Sequence, residues 1–377
     1  MIRTTFQGES LPLLGFGAMR LPVINGINAD IDIPHTKEMI AYSMAHGLNY
    51  FDTAWGYHDG NSETVIGELL SAYDRDSFYL ASKFPGYDVS NMNKVEEIFE
   101  KQLKKCQVDY FDFYLFHNVC ELNIDEYLNP AHGIFEYLIK QKESGRIKHL
   151  GFSAHGSYEV IERFLEAYGK QMEFCQLQIN WVDWEFQGAR EKAELLAKHH
   201  IPLWVMEPLR GGSLASLPEE SEAELKHLRP DESVVEWSFR FLQSLPNISI
   251  ILGGMSNLEQ LKQNIATFKD EKPLQENERD ALQVIADRMI NEVGLACTGC
   301  KYCTSHCPQQ LDIPQLIELY NQRVLTGDQD FIASMVLGTL PPEKQPSECV
   351  ACGSCEEVCP QQLKIADAMA DFAHLMK

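Results

Sequence analysis

Eight of the eleven cysteines lie in two closely spaced runs near the C-terminus. Both runs read C-x-x-C-x-x-C-x-x-x-C-P, with Pro308 and Pro360 closing them. A cube of iron and sulfide needs four soft thiolates, and C-x-x-C turns deliver three of them from one tight loop. The doubled spacing therefore predicts two [4Fe-4S] clusters.

In a two-cluster arrangement the fourth cysteine of each run binds the other cluster. One cluster is accordingly assigned to Cys297, Cys300, Cys303 and Cys359, and the other to Cys349, Cys352, Cys355 and Cys307. Zinc sites and disulfides are the alternatives. Zinc sites use separated C-x-x-C pairs, and disulfides suit small secreted chains, so both fit the runs less well.

Four other residues with acid–base chemistry stand at or just after the ends of short apolar runs. Asp52 and Tyr57 belong to YFDTAWGY, Lys83 ends YLASK, and His117 ends FYLFH. If the runs are parallel strands, their carboxyl ends meet at one edge of the sheet. The alternative is a structural Asp52–Lys83 ion pair with two ordinary rim residues, but four such residues in register favour chemistry.

The elements that must position these residues alternate between strand-like and helical patterns over residues 1–290, which predicts a parallel sheet. Eight strand-like runs occur: LLGFGAM, LNYFDTA, SFYLASK, DYFDFYLFH, KHLGFSA, CQLQIN, PLWVME and ISIILGG. Eight strand–helix units in about 290 residues predict an α/β fold, the (β/α)8 or TIM barrel. MIRTTF and LPLL predict a hairpin at its floor, and Ser62 is the expected N-cap of a helix over 62–73.

We expect a second domain at 291–377, after a helix over 275–294. Between the two cysteine runs, LDIPQLIELYNQRVLTG and DFIASMVLG have helical patterns. The cysteine spacing resembles that of bacterial ferredoxins. With this helical insertion, the domain is similar to the α-helical, two-cluster ferredoxin of fumarate-reductase iron–sulfur subunits.

The rest of the chain resembles the aldo-keto reductase superfamily, and the whole resembles its iron–sulfur-bearing branch. The similarity covers about residues 5–270 in order. It includes D-T-A-x-x-Y at 52–57, G-N-S-E-T-V-I-G at 60–67, G-F-S at 151–153 and GGMSNLEQLKQN at 253–264, besides the lysine and the histidine. The resemblance implies NAD(P)H-dependent reduction of a small-molecule carbonyl, or the reverse oxidation of an alcohol.

It also implies a role for each of the four acid–base residues. Tyr57 would be the general acid, and Lys83 would lower the pKa of its phenol. Asp52 would keep Lys83 charged and oriented, and His117 would hydrogen-bond the substrate carbonyl.

The resemblance further implies a dinucleotide site formed by the later strands. Ser153 and Gln176 would hold the nicotinamide amide, although Ala154 replaces the usual asparagine, and Met206 would replace a stacking aromatic ring. The remaining contacts would come from Gly253, Gly254, Met255, Asn257 and Asn264. The basic residue that would bind a 2′-phosphate would fall near Asn257, where no arginine stands, so NADP(H) and NAD(H) both remain open. Gly15 and Gly17 do not begin a G-x-G-x-x-G motif, because Arg20 stands at its last position.

The formal net charge of −23 leaves no basic face for nucleic acid or an anionic membrane surface. Because no run of 18 apolar residues occurs and the N-terminus lacks a signal-peptide layout, we expect a cytoplasmic protein.

Hydride transfer moves two electrons, whereas a cubane cluster cycles one, so exchange between the two sites would need a flavin or another splitter. No flavin fingerprint occurs, yet a flavin in the barrel mouth stays an open cofactor. The leading hypothesis is a carbonyl reductase with an attached electron-transfer module and, where that module acts, a redox partner protein. Structural or sensory clusters, or a non-catalytic electron-transfer protein on a barrel, are the alternatives.

Overall fold

A computed structural model describes residues 1–295, 297, 303–326, 331–359 and 362–376. The chain divides into two compact units. The first comprises Met1–Leu209 and Arg229–Gln275, and the second comprises Arg210–Leu228 and Glu276–Lys377. The division after residue 290 remains a prediction. Across the described residues, no helix is long and apolar enough to cross a membrane.

The strands of the described residues all belong to the first unit. They are β1 (Arg3–Phe6), β2 (Glu9–Pro12), β3 (Leu14–Gly17), β4 (Tyr50–Asp52), β5 (Tyr79–Phe84), β6 (Phe111–Val119), β7 (Ile147–Ala154), β8 (Cys175–Gln178), β9 (Leu203–Met206) and β10 (Ile248–Gly253). Strands β3 to β10 form a closed parallel barrel in chain order, with β10 pairing β3. All eight predicted strands are therefore confirmed.

The hairpin expected at the N-terminus is also confirmed. Strands β1 and β2 pair antiparallel, with Phe6 opposite Glu9. Phe6 packs with Phe113, Phe174 and Trp204 in the barrel's interior cluster. The eight barrel strands read as nearly continuous apolar runs because parallel strands are buried on both faces.

The helices are α1 (Ile33–Ala45), α2 (Ser62–Leu70), α3 (Val95–Cys106), α4 (Ile124–Tyr127), α5 (Ile134–Glu143), α6 (Tyr158–Tyr168), α7 (Asp183–Phe186), α8 (Ala189–Lys198), α9 (Glu219–Leu228), α10 (Val234–Gln243), α11 (Leu258–Thr267), α12 (Glu276–Val293), α13 (Ile313–Thr326), α14 (Phe331–Leu337), α15 (Ser354–Glu357) and α16 (Ile365–Leu375). The expected cap of α2 is wrong: Asn61 is the N-cap. Ser62 lies in the first turn, and its hydroxyl instead donates to the Ala18 carbonyl at 3.0 Å.

The second unit contains α9 and α12 to α16. Its apolar core is built chiefly from α13 and α16, with Leu316, Ile317, Met369 and Phe372 buried. Six cysteines of the two runs pack into or against this core: Cys297, Cys303, Cys307, Cys349, Cys355 and Cys359. One core therefore supports cysteines from both runs.

Candidate functional site

The residues expected to do chemistry follow one another around one end of the barrel. Asp52 is the last residue of β4, Lys83 is the last but one of β5, and His117 lies near the end of β6. Tyr57 stands in the loop after β4. The structure thus brings the four predicted acid–base residues to the carboxyl ends of consecutive strands, where chemistry gathers in this architecture.

Lys83 and Asp52 form a buried ion pair. The Lys83 ammonium donates to Asp52 Oδ1 at 2.7 Å and to the Thr53 carbonyl at 2.8 Å, and the two side chains are only 0% and 3% exposed. Burial lowers the pKa of Lys83 and raises the pKa of Asp52, while each charge opposes the shift of the other. Asp52 Oδ2 has no hydrogen-bond partner among the described residues.

Tyr57 lies beside this pair with its ring toward the ammonium. Lys83 Nζ stands 5.1 Å from the centroid of the Tyr57 ring. Burial, and then the charges of Asp52 and Glu207, raise the pKa of Tyr57 well above its ordinary value of 10. The effect expected of Lys83 on this phenol stays a prediction; in the present arrangement the ammonium donates its hydrogen bonds to Asp52 and Thr53.

His117 is an imidazole held between two phenol rings. Tyr57 and Tyr87 meet it edge-on, with ring centroids 6.2 and 5.2 Å away. Burial, the charge of Lys83 and that of His155 lower the pKa of His117 well below 6.5, so its ring is neutral near pH 7. Its Nδ1 is buried and makes no hydrogen bond within the described part of the chain.

Tyr87 was missed by the sequence analysis. Its hydroxyl lies so close to Gly56 that a Cβ there would stand 2.4 Å from it. Burial raises the pKa of Tyr87 to about 12. No spacing signal marks this tyrosine, because its place beside His117 on β6 is a tertiary contact.

The two residues expected to hold a nicotinamide amide stand opposite each other on β7 and β8, with Ser153 paired to Gln176. Ser153 Oγ accepts from the Asn118 N–H at 2.8 Å, which leaves its own proton to donate. Gln176 Nε2 lies 3.6 Å from the sulfur of Met206, and its buried Oε1 meets no donor from any residue that the structure describes. A hydroxyl donor and a vacant amide acceptor fit a carboxamide.

The neighbouring residues on and after β7 are Ala154, which is buried, and His155, which is half-buried. Ala154 carries no side-chain polar atom, so the hydrogen bond of the usual asparagine cannot come from it. Burial and the charge of Lys192 lower the pKa of His155 to about 4, although a hydrogen bond with Gln178 acts in the opposite direction. The His155 ring is therefore also neutral near pH 7.

The turn after β10 leads into α11, whose N-cap is Asn257. Asn257 Oδ1 accepts from the Gln260 N–H at 2.9 Å, and Gln260 Oε1 accepts from the Ser256 N–H at 2.8 Å. Leu258 N–H donates to His35 at 3.3 Å. These donors are thus engaged within the protein, so an anion would have to compete with the caps.

The other residues expected in this part of the site are small or buried. Gly253 ends β10. Its backbone lies so close to Gly17 that a Cβ on Gly17 would stand 3.2 Å from the carbonyl oxygen of Gly253. Met255 and Asn264 are 1% and 6% exposed. The Met255 side chain is directed at Gly253, so only its backbone is available to a ligand.

Arg20 is a second residue that sequence reasoning passed over. Its side-chain carbons lie 3.3 to 3.6 Å from where a Cβ on Gly254 would stand. Arg20 is half-buried, and in the part of the chain that the structure describes its guanidinium makes no hydrogen bond or ion pair. In the sequence Arg20 served only to rule out a G-x-G-x-x-G motif.

The cysteine runs form a separate site in the second unit. One cavity is lined by Cys307 from the first run and by Cys349, Cys352 and Cys355 from the second. These are the four thiols assigned to one cluster by cross-ligation, and their chemistry suits iron. Among the described residues, no three potential ligands have converged on a metal-binding geometry. Cys300 and Pro360 lie outside the described residues.

Comparison with known proteins identifies the family of each part of the chain. The model of the aldo/keto reductase family matches residues 13–287, and that of a 4Fe-4S dicluster domain matches residues 296–363. The chain belongs to the aldo/keto reductase family. It is an oxidoreductase of that family with a dicluster iron–sulfur domain.

Two curated relatives are identical to this chain at a quarter of the aligned positions or fewer. The uncharacterized oxidoreductase YqkF of Bacillus subtilis is 25% identical over 268 residues, 63% of this chain and 83% of YqkF. The NADH-specific methylglyoxal reductase of Escherichia coli is 21% identical, over 69% of this chain and 90% of that protein. Among solved structures, the aldo-keto reductase AKR11C1 from Bacillus halodurans has a TM-score of 0.60 at 23% identity, covering 76% of this chain and 96% of its own. An aldo-keto reductase from Klebsiella pneumoniae in complex with NADPH has a TM-score of 0.59 at 19% sequence identity, again covering 76% of this chain and 96% of its own.

The buried ion pair predicts a pH-dependent loss of stability in Asp52→Asn. Lys83 would lose its counter-charge, and we expect unfolding to become easier by about 3–5 kcal/mol at pH 7. The folded pKa of Lys83 would then lie far below its unfolded value of about 10.4, so the unfolded state would bind more protons and stability would rise with pH. Urea unfolding at pH 7 and 9.5, followed by tryptophan fluorescence, measures this.

Asp74→Asn is the matched control, because Asp74 is exposed and its side chain makes no hydrogen bond to a described residue. A similar pH slope in both variants, or an Asp52→Asn protein as stable as the wild type at pH 7, would contradict the expectation.

Proposed function

We propose that the protein reduces a small carbonyl compound with NADPH or NADH at the carboxyl end of the barrel. The observation that carries the proposal is the buried Lys83–Asp52 pair with Tyr57 and the neutral His117 beside it. Structural ion pairs are seldom this buried, since taking both charges out of water costs several kcal/mol per ion, about as much as their attraction returns. Such a pair beside two further titratable side chains is typical of an active site.

Each of the four residues has one role in the proposed reaction. A reduced nicotinamide bound beside them would supply a hydride to the carbonyl carbon. His117, neutral near pH 7, donates an N–H to the carbonyl oxygen and orients it. Tyr57, whose pKa is raised, holds the proton that passes to that oxygen, so that the alcohol forms. Lys83 balances the charge that remains on the Tyr57 oxygen, and Asp52 keeps Lys83 ionised.

The nicotinamide site of the proposal uses Ser153 and Gln176. A carboxamide has one acceptor and two donors, and it meets the free Ser153 proton and the unpartnered Gln176 Oε1. Met206 would pack on the ring with its polarisable sulfur. The phosphates would be bordered by Gly253, Gly254 and the backbone of Met255. Asn257, the N-cap of α11, and Asn264 within that helix would supply the remaining contacts.

Arg20 adds the cation that the sequence analysis did not find near Asn257. A guanidinium without an acidic partner suits a phosphate, because it can make two parallel hydrogen bonds. Relatives point to both nucleotides, as one is named NADH-specific and a structure of similar fold holds NADPH. Methylglyoxal, named for several relatives, is the first carbonyl to test.

We further propose two [4Fe-4S] clusters held by the cross-ligated sets given above. The cavity that groups Cys307 with Cys349, Cys352 and Cys355 supports this connection. The clusters supply one-electron transfer when bound. Cys352 is exposed, so this cluster would be open to a redox partner.

Replacing the general acid gives the direct test. Tyr57→Phe should lower kcat for methylglyoxal reduction by at least about 100-fold, because no proton reaches the forming alkoxide. The Kd for the dinucleotide should stay within about twofold. Stopped-flow absorbance at 340 nm and fluorescence titration measure the two quantities.

Tyr110→Phe is the control, since Tyr110 donates only a weak 3.3 Å hydrogen bond to Asp76 at the surface. Equal, measurable activity of Tyr57→Phe and the wild type would remove Tyr57 as the general acid. A wild type that reduces no carbonyl would reject the reductase and favour the non-catalytic electron-transfer alternative.

The role given to Arg20 is measured by binding. Arg20→Met should raise the Kd for NADPH about tenfold, because losing a charge-assisted hydrogen bond costs about 1.5 kcal/mol or more. Calorimetric titration with NADPH and NADH shows which phosphate matters: a loss confined to NADPH assigns the 2′-phosphate, and a loss for both assigns the pyrophosphate.

Arg163→Met, which removes an exposed arginine paired with Asp125, should leave both Kd values unchanged. An unchanged Kd in Arg20→Met would remove Arg20 from the site. A wild-type protein that binds neither nucleotide would contradict the proposed function itself.

Cross-ligation is tested with Cys307→Ser. Although Cys307 belongs to the first run, the loss should fall on the cluster of Cys349, Cys352 and Cys355. Anaerobic iron analysis should drop from about eight irons toward four, and the electron paramagnetic resonance spectrum of the reduced protein should lose its two-cluster spin coupling.

Cys120→Ala provides the control, as Cys120 is buried in the barrel unit, where burial raises its pKa to about 11 and keeps it a thiol. If Cys307→Ser keeps the cluster of the second run, the assignment of ligands is wrong.

A further inference from the structure

A fully buried carboxylate, Glu63, lies behind the acid–base residues and is used by none of the steps above. It stands in the first turn of α2 and is 0% exposed. Its Oε1 accepts from Ser82 Oγ at 2.7 Å and from Gln102 Nε2 at 2.7 Å, and its Oε2 accepts from Lys105 Nζ at 2.8 Å. A buried charge with so many dedicated partners is expensive to keep for stability alone.

The contacts of Oε1 lead to the backbone of Lys83. Gln102 Nε2, besides reaching Glu63, lies 2.9 Å from the Lys83 carbonyl and 3.0 Å from Ser82 Oγ. The other end of the amide is fixed as well, since the Tyr114 hydroxyl donates to Gln102 Oε1 at 2.5 Å. Glu63 and Gln102 thereby hold the end of β5 at the residue from which the ammonium extends.

The contact of Oε2 leads to the loop that carries Tyr57. Lys105 Nζ, while donating to Glu63, stands 4.6 Å from the centroid of the Trp55 ring. Trp55 lies two residues before Tyr57. A cation over an indole face is an attractive contact that grows stronger away from water. Glu63, Lys105 and Trp55 therefore connect α2 and α3 to the tyrosine loop.

We propose that Glu63 is a positioning residue that fixes Lys83 through Gln102 and Tyr57 through Lys105 and Trp55. It sets the distance and orientation between the ammonium and the phenol without touching substrate or cofactor. The inference rests on the proposed function in so far as Lys83 and Tyr57 act together in catalysis.

The charge of Glu63 also acts on Lys83. Four ionisable groups face Lys83: Asp52 on β4, Tyr57 in the following loop, Glu63 on α2 and His117 on β6. Lys105 on α3 in turn faces Glu63. Burial lowers the pKa of Lys83, and the charges of Asp52 and then Glu63 raise it. Neutralising Glu63 should therefore lower the pKa of Lys83 further, and the ammonium should be lost at a lower pH.

The experiment compares Glu63→Gln with the wild-type holoprotein. Titration of the Lys83 Cε resonance in protein labelled with ¹³C-lysine, assigned with Lys83→Arg, should show the pKa falling by at least about half a pH unit. The alkaline limb of kcat should move in the same direction. We expect kcat to fall about tenfold while KM changes by less than about twofold, because the geometry of the reacting groups changes and not substrate binding.

Glu68→Gln is the matched control, being an exposed glutamate on the same helix. Lys105→Met separates the positioning of the Tyr57 loop from the effect of the Glu63 charge on Lys83. It removes the connection to Trp55 but keeps the Glu63 carboxylate. It should lower kcat about tenfold without lowering the pKa of Lys83.

A folded Glu63→Gln with an unchanged Lys83 pKa and unchanged kcat would overturn the inference. Should Glu63→Gln not fold, unchanged kcat in both Lys105→Met and Gln102→Met would overturn it equally. An inactive wild-type protein would contradict the proposed function, and the Lys83 titration would still decide the role of Glu63.

Discussion

The arrangement of the barrel site depends on one interaction, the ion pair between Lys83 and Asp52. Burial alone favours the neutral form of both groups, because it lowers the pKa of the Lys83 ammonium and raises the pKa of the Asp52 carboxyl. Each stays ionised because the other lies 2.7 Å away. Apolar residues of the same volume would fill this space at no cost in stability. The pair is therefore best understood as a local field kept for chemistry, with the closed barrel as the rigid support that excludes water from it.

That field acts on Tyr57 in a way that residue types alone do not reveal. An ammonium next to a phenol suggests a lowered pKa, but burial and then the negative charges of Asp52 and Glu207 raise the pKa of Tyr57. The phenol is consequently kept protonated. In the proposed reduction, a protonated Tyr57 and a neutral His117 would each donate a hydrogen bond to the carbonyl oxygen.

The sequence predicted the barrel, its eight strands and the four acid–base residues because each carries a local signal: an apolar run, a turn, or a polar residue at a strand end. It misplaced the cap of α2 because the Ser62 hydroxyl bonds the Ala18 carbonyl, a tertiary contact that local pattern does not encode. Arg20, Tyr87 and Glu63 escaped notice for the same reason. Arg20 meets Gly254 only when β10 closes on β3, and Glu63 meets Gln102 only when α2 packs on α3.

The second unit brings cysteines that lie far apart along the chain to one cavity. Cys307 and the three cysteines from Cys349 to Cys355 line one cavity, although two helices, α13 and α14, lie between them. Those helices contribute to the apolar core on which both cysteine runs pack. Hydrophobic burial in this core offsets part of the entropy lost when the cysteine runs are ordered. The insertion between the runs therefore has a structural role, because it contributes to the core against which cysteines of both runs pack.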